Sequence, residues 1–440
     1  MLSINTFCKV TIFLLFFRFH IEDYNKPCPW YNAIMVLRIL WLKDNKPDTW
    51  QLLDMLMDHL EDQRKESKKR NTVVDFIRKH CKLTQFSEEE IRHVIGRTAF
   101  IVSYKQGVYV IFSGVVDTNC YIIGENPNKD VDIQGLYPIT SILNHSCTSN
   151  TICYAQDDFT FACRAVVPIK KGEELTTNYH HHHYHFFGRS YRQPELTDNW
   201  YFRCNCTRCQ DYTENGTMAD SLVCTECQTG RLTHTGKQWG CGKCGSTRTD
   251  EKVRQTLHNY WDLMEKTTDC DVDGLDELVP KMLKVFDENH YHLLELKRRI
   301  IESIRNYEDL ADVILEKKVN FCRDHLKVQH YLAPGLSEYR AYISNHIAEP
   351  LYWLTKEKYL QKTISEEELT RTMEEVANHL LLVIQIWGPF RHRSSERLTA
   401  EKASSLLETV DTKYLHKNLG KIAADVLYSN CLKTYKSINF

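Results

Sequence analysis

Apolar residues at helical spacing mark the first part of the chain that has a regular pattern. Over residues 32–96 they recur at three- and four-residue steps. The pattern is interrupted at Pro47, which predicts two helices that meet there, and Ser87 with Glu90 matches a capping box at the start of a later helix. This part is predicted to be a small helical array. Residues 1–31 show no amphipathic period and form an atypical N-terminal segment.

The pattern then changes to short runs of β-branched and aromatic residues separated by glycines and turn residues. Such runs are typical of short antiparallel strands. They lie at residues 100–104, 108–112, 120–123, 151–154, 160–163, 165–167 and 174–179. Residues 97–200 are therefore predicted to form a mostly β domain.

Helical spacing returns after a cysteine-rich section at residues 201–250. A second capping box begins at Ser365, and an apolar stripe follows it until Gly388-Pro389 stops the helix. Similar stripes cover 275–304 and 339–359, so residues 251–440 are predicted to be packed helical hairpins with a scaffold or partner-binding role. The fold class that follows is α+β.

Four cysteines in the cysteine-rich section have the spacing of a zinc ribbon. Cys224 and Cys227 form one C-x-x-C pair, and Cys241 and Cys244 form another. Each pair supplies two thiolates to one tetrahedral ion, and four protein ligands leave no open position for water. This spacing predicts a structural zinc site and disfavours four unrelated buried thiols.

A second cysteine group is incomplete by itself. Cys204, Cys206 and Cys209 offer three thiolates, so a tetrahedral zinc ion needs a fourth ligand from elsewhere in the chain. Cys147 is the candidate. The run His180–His183 also invites a metal hypothesis, but consecutive histidines rarely point at one ion, and a polar loop is favoured.

Charge and composition narrow the class of protein. The net charge of −2 and the pI near 6.8 give no general attraction to nucleic acid or to anionic membranes. The basic run at 64–70 is interpreted as a solvated turn or helix end. The apolar run Val10–Phe17 is too short to span a bilayer and lacks a cleavage site. Paired cysteines indicate metal ligands rather than disulfides, so we expect a soluble intracellular protein of the cytoplasm, the nucleus or both.

Three stretches together resemble the SET-domain lysine methyltransferases of the SET-and-MYND group, within it the arthropod SmydA type. These are Asn-His-Ser-Cys-Thr-Ser-Asn at 144–150, Gly-Glu-Glu-Leu-Thr-Thr-Asn-Tyr at 172–179 and Cys-Asn-Cys-Thr-Arg-Cys at 204–209. The resemblance covers roughly residues 32–420 and includes a C-terminal helical-hairpin domain of TPR-like type. It implies a mostly β SET domain, a zinc-stapled post-SET region and an inserted helical array.

The resemblance also implies the roles of single residues. Tyr179 is the active-site tyrosine, Asn144 and His145 hold S-adenosylmethionine together with Tyr179, and Cys147 completes the first zinc site. Trp200 stands where related proteins have an aromatic residue in the wall of the lysine channel. The expected reaction moves a methyl group from S-adenosylmethionine to a lysine of a histone or another protein, and the two structural zinc ions take no part in it.

Two departures from the family pattern motivate a rival function. No glycine precedes Gly96, so the glycine-rich loop that wraps the cofactor is missing, and the MYND zinc module is missing too. Residues 97–115 look like an additional stretch, and we expect that the true N-terminal exon has been lost. The rival is a catalytically inactive SET protein that acts as a scaffold through its helical region. A zinc-ribbon nucleic-acid binder is a third option that the near-neutral charge disfavours.

Overall fold

The computed structural model describes residues 31–56, 74–81, 83–97, 120–126, 129–268, 271–305, 307, 310–391 and 394–414. The predicted strands at 100–104 and 108–112, the segment 1–30 and the basic run at 64–70 lie outside these residues. The described chain combines helices with short strands, which confirms the α+β prediction. It forms two compact units. The first contains the described residues up to Asn144, with 153–163 and 194–203, and the second contains the remainder.

The first unit begins with the predicted helical array. Its helices are α1 (Tyr31–Asn45), α2 (Pro47–Asp54) and α3 (Glu88–Arg97), with one π-helical turn at Phe76–His80. The two helices meet at Pro47 as predicted, because proline is tolerated in the first helical turn. The capping box is also confirmed: the Glu90 amide donates to Ser87 Oγ at 3.1 Å, and the Ser87 amide donates to Glu90 Oε2 at 2.8 Å. The helices share a buried apolar core that includes Val36, Leu40, Leu53, Ile77, Ile91 and Val94.

An antiparallel hairpin follows in the first unit. Strand β1 (Cys120–Asn126) pairs with β2 (Lys129–Leu136), and Asn126 lies opposite Lys129. The sequence predicts a strand at 120–123, within β1, but not β2. Aspartates at 130 and 132 lower the strand propensity of β2, and pairing with β1 overrides it.

Four short strands surround the polar motif. The two-residue strand β3 (Asn144–His145) pairs with β6 (Thr176–Thr177), and β4 (Thr151–Ala155) pairs with β5 (Phe161–Ala165). The prediction of separate strands at 160–163 and 165–167 is wrong, because β5 is continuous and ends at Ala165. The predicted strand at 174–179 shrinks to β6.

Helix α4 (Arg189–Trp200) precedes the cysteine-rich section, which contains the short helix α5 (Thr207–Gln210) and one small sheet. The sheet has four short strands in the order β10-β9-β8-β7, and the pairs are antiparallel. These strands are β7 (Leu222–Val223), β8 (Arg231–His234), β9 (Trp239–Cys241) and β10 (Thr247–Arg248). Three of these strands bury an apolar side chain, namely Leu222, Leu232 and Trp239.

Seven helices lie in the described part of the C-terminal region. They are α6 (Asp250–Lys266), α7 (Val272–Met282), α8 (Tyr291–Ser303), α9 (Asp312–Leu332), α10 (Glu338–Leu360), α11 (Glu366–Trp387) and α12 (Ser395–Tyr414). The predicted stripe on α11 is buried, as at Leu369, Val376 and Val383. None of the helices in the described ranges is long and apolar enough to cross a membrane.

The single stripe predicted over 275–304 is two helices, α7 and α8. The chain leaves the helix between them because the Val223 amide of β7 donates to the Val285 carbonyl at 2.8 Å. This pairing satisfies a backbone group that a continuous helix would otherwise use. His290 then begins α8, since its Nδ1 accepts a hydrogen bond from the His292 amide at 3.1 Å.

Candidate functional site

The first cysteine cluster assembles from distant parts of the chain. Cys147 follows β3, whereas Cys204, Cys206 and Cys209 lie before and within α5. The four sulfurs lie within 4.8 Å of one another, and Cys147 Sγ is 3.5 Å from Cys209 Sγ and 4.0 Å from Cys204 Sγ. A tetrahedral zinc ion with bonds of about 2.3 Å needs sulfur atoms about 3.8 Å apart. The set therefore fits a structural zinc ion.

The second cluster has the same geometry within one small sheet. Cys224 Sγ is 3.6 Å from Cys244 Sγ, and Cys227 Sγ is 3.8 Å from Cys241 Sγ. Backbone amides of Gly230 and Lys243 donate to the sulfurs of Cys227 and Cys241 at 3.2 and 3.4 Å. Such amide bonds stabilise thiolates, so these residues also fit zinc.

The imidazole of His145 joins the first cluster to Tyr179. The Tyr179 amide donates to His145 Nδ1 at 3.0 Å, and His145 Nε2 lies 3.2 Å from Cys147 Sγ. Burial lowers the pKa of His145 to about 4, so the ring is neutral at physiological pH. Because Nδ1 accepts, the single proton lies on Nε2 and donates to the sulfur. The His145 ring therefore orients the tyrosine backbone rather than offering a nitrogen to a ligand.

Tyr179 is held in a half-buried position beside that imidazole. Its ring centroid is 5.2 Å from the His145 ring centroid. Burial raises the pKa of Tyr179 to about 12, so the phenol keeps its proton at physiological pH. A protonated phenol both donates and accepts a hydrogen bond, which suits the orientation of a neutral amine.

The side chain of Asn150 fixes the segment that leads to Tyr179. Asn150 Oδ1 accepts from the Thr176 amide at 2.9 Å, and Nδ2 donates to the Glu174 carbonyl at 2.8 Å. These contacts replace ladder hydrogen bonds, which explains why β6 is shorter than the predicted strand. Asn150 is thus a positioning residue for the polar motif.

A buried ion triad behind the first cluster was not predicted. Glu214 accepts from Arg192 Nη1 at 2.9 Å and from Arg208 Nε at 2.6 Å, and all three side chains are fully buried. Arg192 Nη2 also lies 3.5 Å from Cys209 Sγ, and Arg208 donates to the carbonyls of His185 and Phe187. The triad carries one net positive charge beside four thiolates that would leave a zinc complex negative. In the sequence, the one signal for this triad is the position of Arg208 between Cys206 and Cys209.

The remaining predicted site residues lie at the edges of this arrangement. Asn144 is exposed in β3, and Trp200 is half-buried at the end of α4, so their roles stay predictions. The ligand nitrogens of His181, His182 and His183 lie within 4.8 Å of one another, and His182 Nδ1 is 3.6 Å from Glu338 Oε2. The predicted polar loop is therefore compact, and its lack of a metal stays a prediction.

The comparisons agree with this site. Residues 42–180 match the SET domain family, and this range contains the polar motif and Tyr179. The chain is 27% identical over 255 residues to "SET domain-containing protein SmydA-8, isoform A" of Drosophila melanogaster, covering 53% of this chain and 52% of the relative. It is 29% identical over 182 residues to "Histone-lysine N-methyltransferase SMYD3" of Mus musculus, covering 39% and 41%. It is 24% identical over 218 residues to "Histone-lysine N-methyltransferase ASHR1" of Arabidopsis thaliana, covering 46% and 43%.

The matched region and the site define the class: this is a SET-domain protein. Its relatives narrow the likeness further: the chain is similar to SET-domain proteins of the SET-and-MYND type. The chain spans about half the length of the Drosophila relative that it matches, and less of the mouse and plant relatives.

Proposed function

We propose that this protein transfers a methyl group from S-adenosylmethionine to the side-chain amine of a lysine in a protein substrate. The observation that carries the proposal is the link from Cys147 through His145 to Tyr179, because it fixes the Tyr179 backbone beside the polar motif while burial keeps the phenol protonated. The relatives named as histone-lysine methyltransferases support the same reaction class.

The polar motif at 144–150 would offer groups to the cofactor. The buried Oγ1 of Thr148 has no hydrogen-bond partner among the described residues, so this atom of the motif has polar capacity that a ligand could satisfy. The His145 ring is engaged on both sides, so main-chain groups and the Asn144 amide would hold the cofactor. Bound S-adenosylmethionine supplies a methyl group on a positively charged sulfur.

The protein's part in the reaction is alignment and desolvation. Direct displacement requires a neutral amine in line with the methyl group, and a site shielded from water disfavours the ammonium form. Tyr179 would orient the amine through its hydroxyl group, and Trp200 would form part of the channel wall. Zinc at Cys147, Cys204, Cys206 and Cys209 would fix the loop around that channel without entering the reaction.

Tyr179→Phe tests the proposal in the zinc-loaded full chain. We expect methyl transfer to fall by on the order of 10²-fold because a misplaced amine loses alignment. Affinity for S-adenosylmethionine should change little. Radiolabel transfer to histones and lysine peptides measures the rate, and calorimetric titration measures cofactor affinity. Tyr359→Phe, at a tyrosine exposed on α10, is the matched control and should retain the full rate.

Two outcomes would decide against this function. An unchanged rate in Tyr179→Phe would show that Tyr179 is misassigned. No binding of S-adenosylmethionine by a folded sample that holds both zinc ions would favour the inactive scaffold, whose partner proteins would bind through α6 to α12.

A further inference from the structure

The hairpin of β4 and β5 places two cysteines opposite each other. At the turn, the Gln156 amide donates to the Thr160 carbonyl at 2.9 Å, and at the open end the Val166 amide donates to the Asn150 carbonyl at 2.9 Å. Both pairs are symmetric about residue 158, so the register does not shift between them. Cys153 and Cys163 are also symmetric about that residue and therefore face each other.

The type of pairing brings these two cysteines close. Hydrogen-bonded and non-hydrogen-bonded pairs alternate along an antiparallel ladder. The bonded pairs 156/160 and 150/166 lie an even number of residues from the centre, whereas 153/163 lies an odd number away and is non-hydrogen-bonded. Such pairs have Cα atoms about 4.5 Å apart with both side chains on one face. A disulfide accepts Cα separations of about 4.4–6.8 Å.

The other cysteines whose side chains are described either belong to one of the two cysteine clusters or are buried. Cys163 is exposed and Cys153 is half-buried. Eight others belong to the two clusters. Cys81 and Cys322 are buried, and burial raises their pKa to about 11 and about 12. Thiolate formation and access favour oxidation, so Cys163 is the accessible entry point of a facing pair.

We propose that Cys153 and Cys163 form a redox-active pair that a peroxide converts to a disulfide. The Cys163 thiolate attacks one peroxide oxygen, which breaks the O–O bond and gives a sulfenic acid and hydroxide. The Cys153 sulfur then attacks the sulfenic sulfur, and the S–OH bond breaks. Hydrogen peroxide thus gains the two electrons and two protons that the thiols lose and leaves as two waters. A dithiol reverses the step.

The disulfide would lock the register of the hairpin. The open end of the hairpin is Asn150, whose side chain holds Glu174 and Thr176 ahead of Tyr179. Oxidation would therefore restrict movement of strands β4 and β5, whose open end lies next to Asn150.

Peroxide treatment of the zinc-loaded full chain tests the proposal. The protein is treated with one equivalent of hydrogen peroxide, and the remaining free thiols are then alkylated. Without a reducing agent, the chain is next cleaved at Asp157 or Asp158, which lie between the two cysteines. We expect the fragments to stay joined, lighter by two hydrogens, and to separate after dithiothreitol. Cys163→Ser should abolish the linkage, and the control Cys81→Ser should keep it. A zinc-sensing dye shows whether the clusters stay loaded.

Two results would overturn it. One is separate alkylation of Cys153 and Cys163 in the oxidised sample while both zinc ions remain bound. The other is linkage of either residue to a cluster cysteine instead. Trapping of the reduced protein with a monoarsenical reagent, which bridges two neighbouring thiols, checks the pair without any variant, and failure of wild-type protein to bind it would contradict the facing geometry.

Discussion

Gly230 lies so close to the second cysteine cluster that a methyl group does not fit there. A Cβ atom at this position would be 2.4 Å from Cys241 Sγ and 3.0 Å from Cys227 Sγ. The absence of a side chain thus lets the backbone approach two ligands and lets the Gly230 amide donate to one of them. Glycine is therefore required at position 230 because the backbone approaches the cysteines closely, and not because of a turn conformation.

Gly230→Ala should therefore loosen the second cluster. We expect the variant to retain about one zinc ion per chain after mild chelation, whereas the wild type retains about two, because the methyl group pushes two ligands out of tetrahedral geometry. Metal analysis after chelation measures the ratio. Gly242→Ala is the matched control, since no atom lies within 4 Å of its added Cβ. Equal zinc retention in the two variants would contradict the argument.

Glu214 offers a second test at the level of one residue. Glu214→Gln removes the carboxylate that pairs with the buried Arg192 and Arg208, so the free energy of unfolding should fall by about 3–5 kcal/mol. Glu375→Gln is the control, because its partner Arg323 is exposed and such pairs contribute roughly 0–1 kcal/mol. Denaturant unfolding of both zinc-loaded variants measures the difference. Similar losses would mean that the triad is not desolvated.

Helix α11 keeps in the folded protein the capping residue and the apolar stripe that its sequence predicts. Ser365 begins the helix, and its Oγ accepts from the Glu368 amide at 3.1 Å. The predicted stripe packs inward and the helix stops at Gly388. Capping and periodicity act within a few residues, so neighbouring elements do not change them.

Ser365→Ala should cost the protein about 1 kcal/mol of unfolding free energy, because the Glu368 amide loses its capping acceptor. Ser405→Ala, in the exposed middle of α12, is the matched control. There Ser405 Oγ donates to the Glu401 carbonyl of its own helix and caps no amide, so we expect no loss of unfolding free energy. Thermal unfolding of both variants provides the measurement, and an unchanged midpoint for Ser365→Ala would rule out a capping role.

The whole molecule contains many histidines that are buried and neutral. In the helical region, burial lowers the pKa of His292 and His379 to about 4 and that of His346 to about 3, and it holds the pKa of His290 well below its usual range. Each ring binds its proton more readily in the unfolded chain. Their contribution to stability is therefore complete above about pH 6.5 and is lost as the pH falls toward about 4.

We expect the thermal midpoint to fall between about pH 6.5 and about pH 4. His290→Asn should make that pH dependence shallower, since asparagine keeps an acceptor for the His292 amide but cannot bind a proton. Calorimetry across this range, with zinc release followed in parallel, makes the comparison. An identical slope in His290→Asn would show that His290 does not titrate on unfolding.

The small sheets show the limit of reading strands from sequence. Strand β2 was not predicted, and the strand at 174–179 is mostly irregular, because partners distant in the chain decide both. The break between α7 and α8 has the same cause, since the Val223 amide of β7 donates to the Val285 carbonyl. The spacing of apolar residues does not indicate which carbonyl accepts a hydrogen bond from a given backbone amide.

The sequence by itself determined the α+β class, the helical stripes, the two capping boxes and the resemblance to SET-and-MYND proteins. These features depend on spacing within a few residues, and a chain encodes such spacing directly. The sequence also named Cys147 as the candidate fourth ligand, and the structure brings its sulfur to the post-SET cysteines. Only the tertiary structure decided that His145 contacts the Tyr179 amide and the Cys147 sulfur, and that Glu214 pairs with two buried arginines. Those contacts join residues tens of positions apart, and the folding of the intervening chain sets their distances.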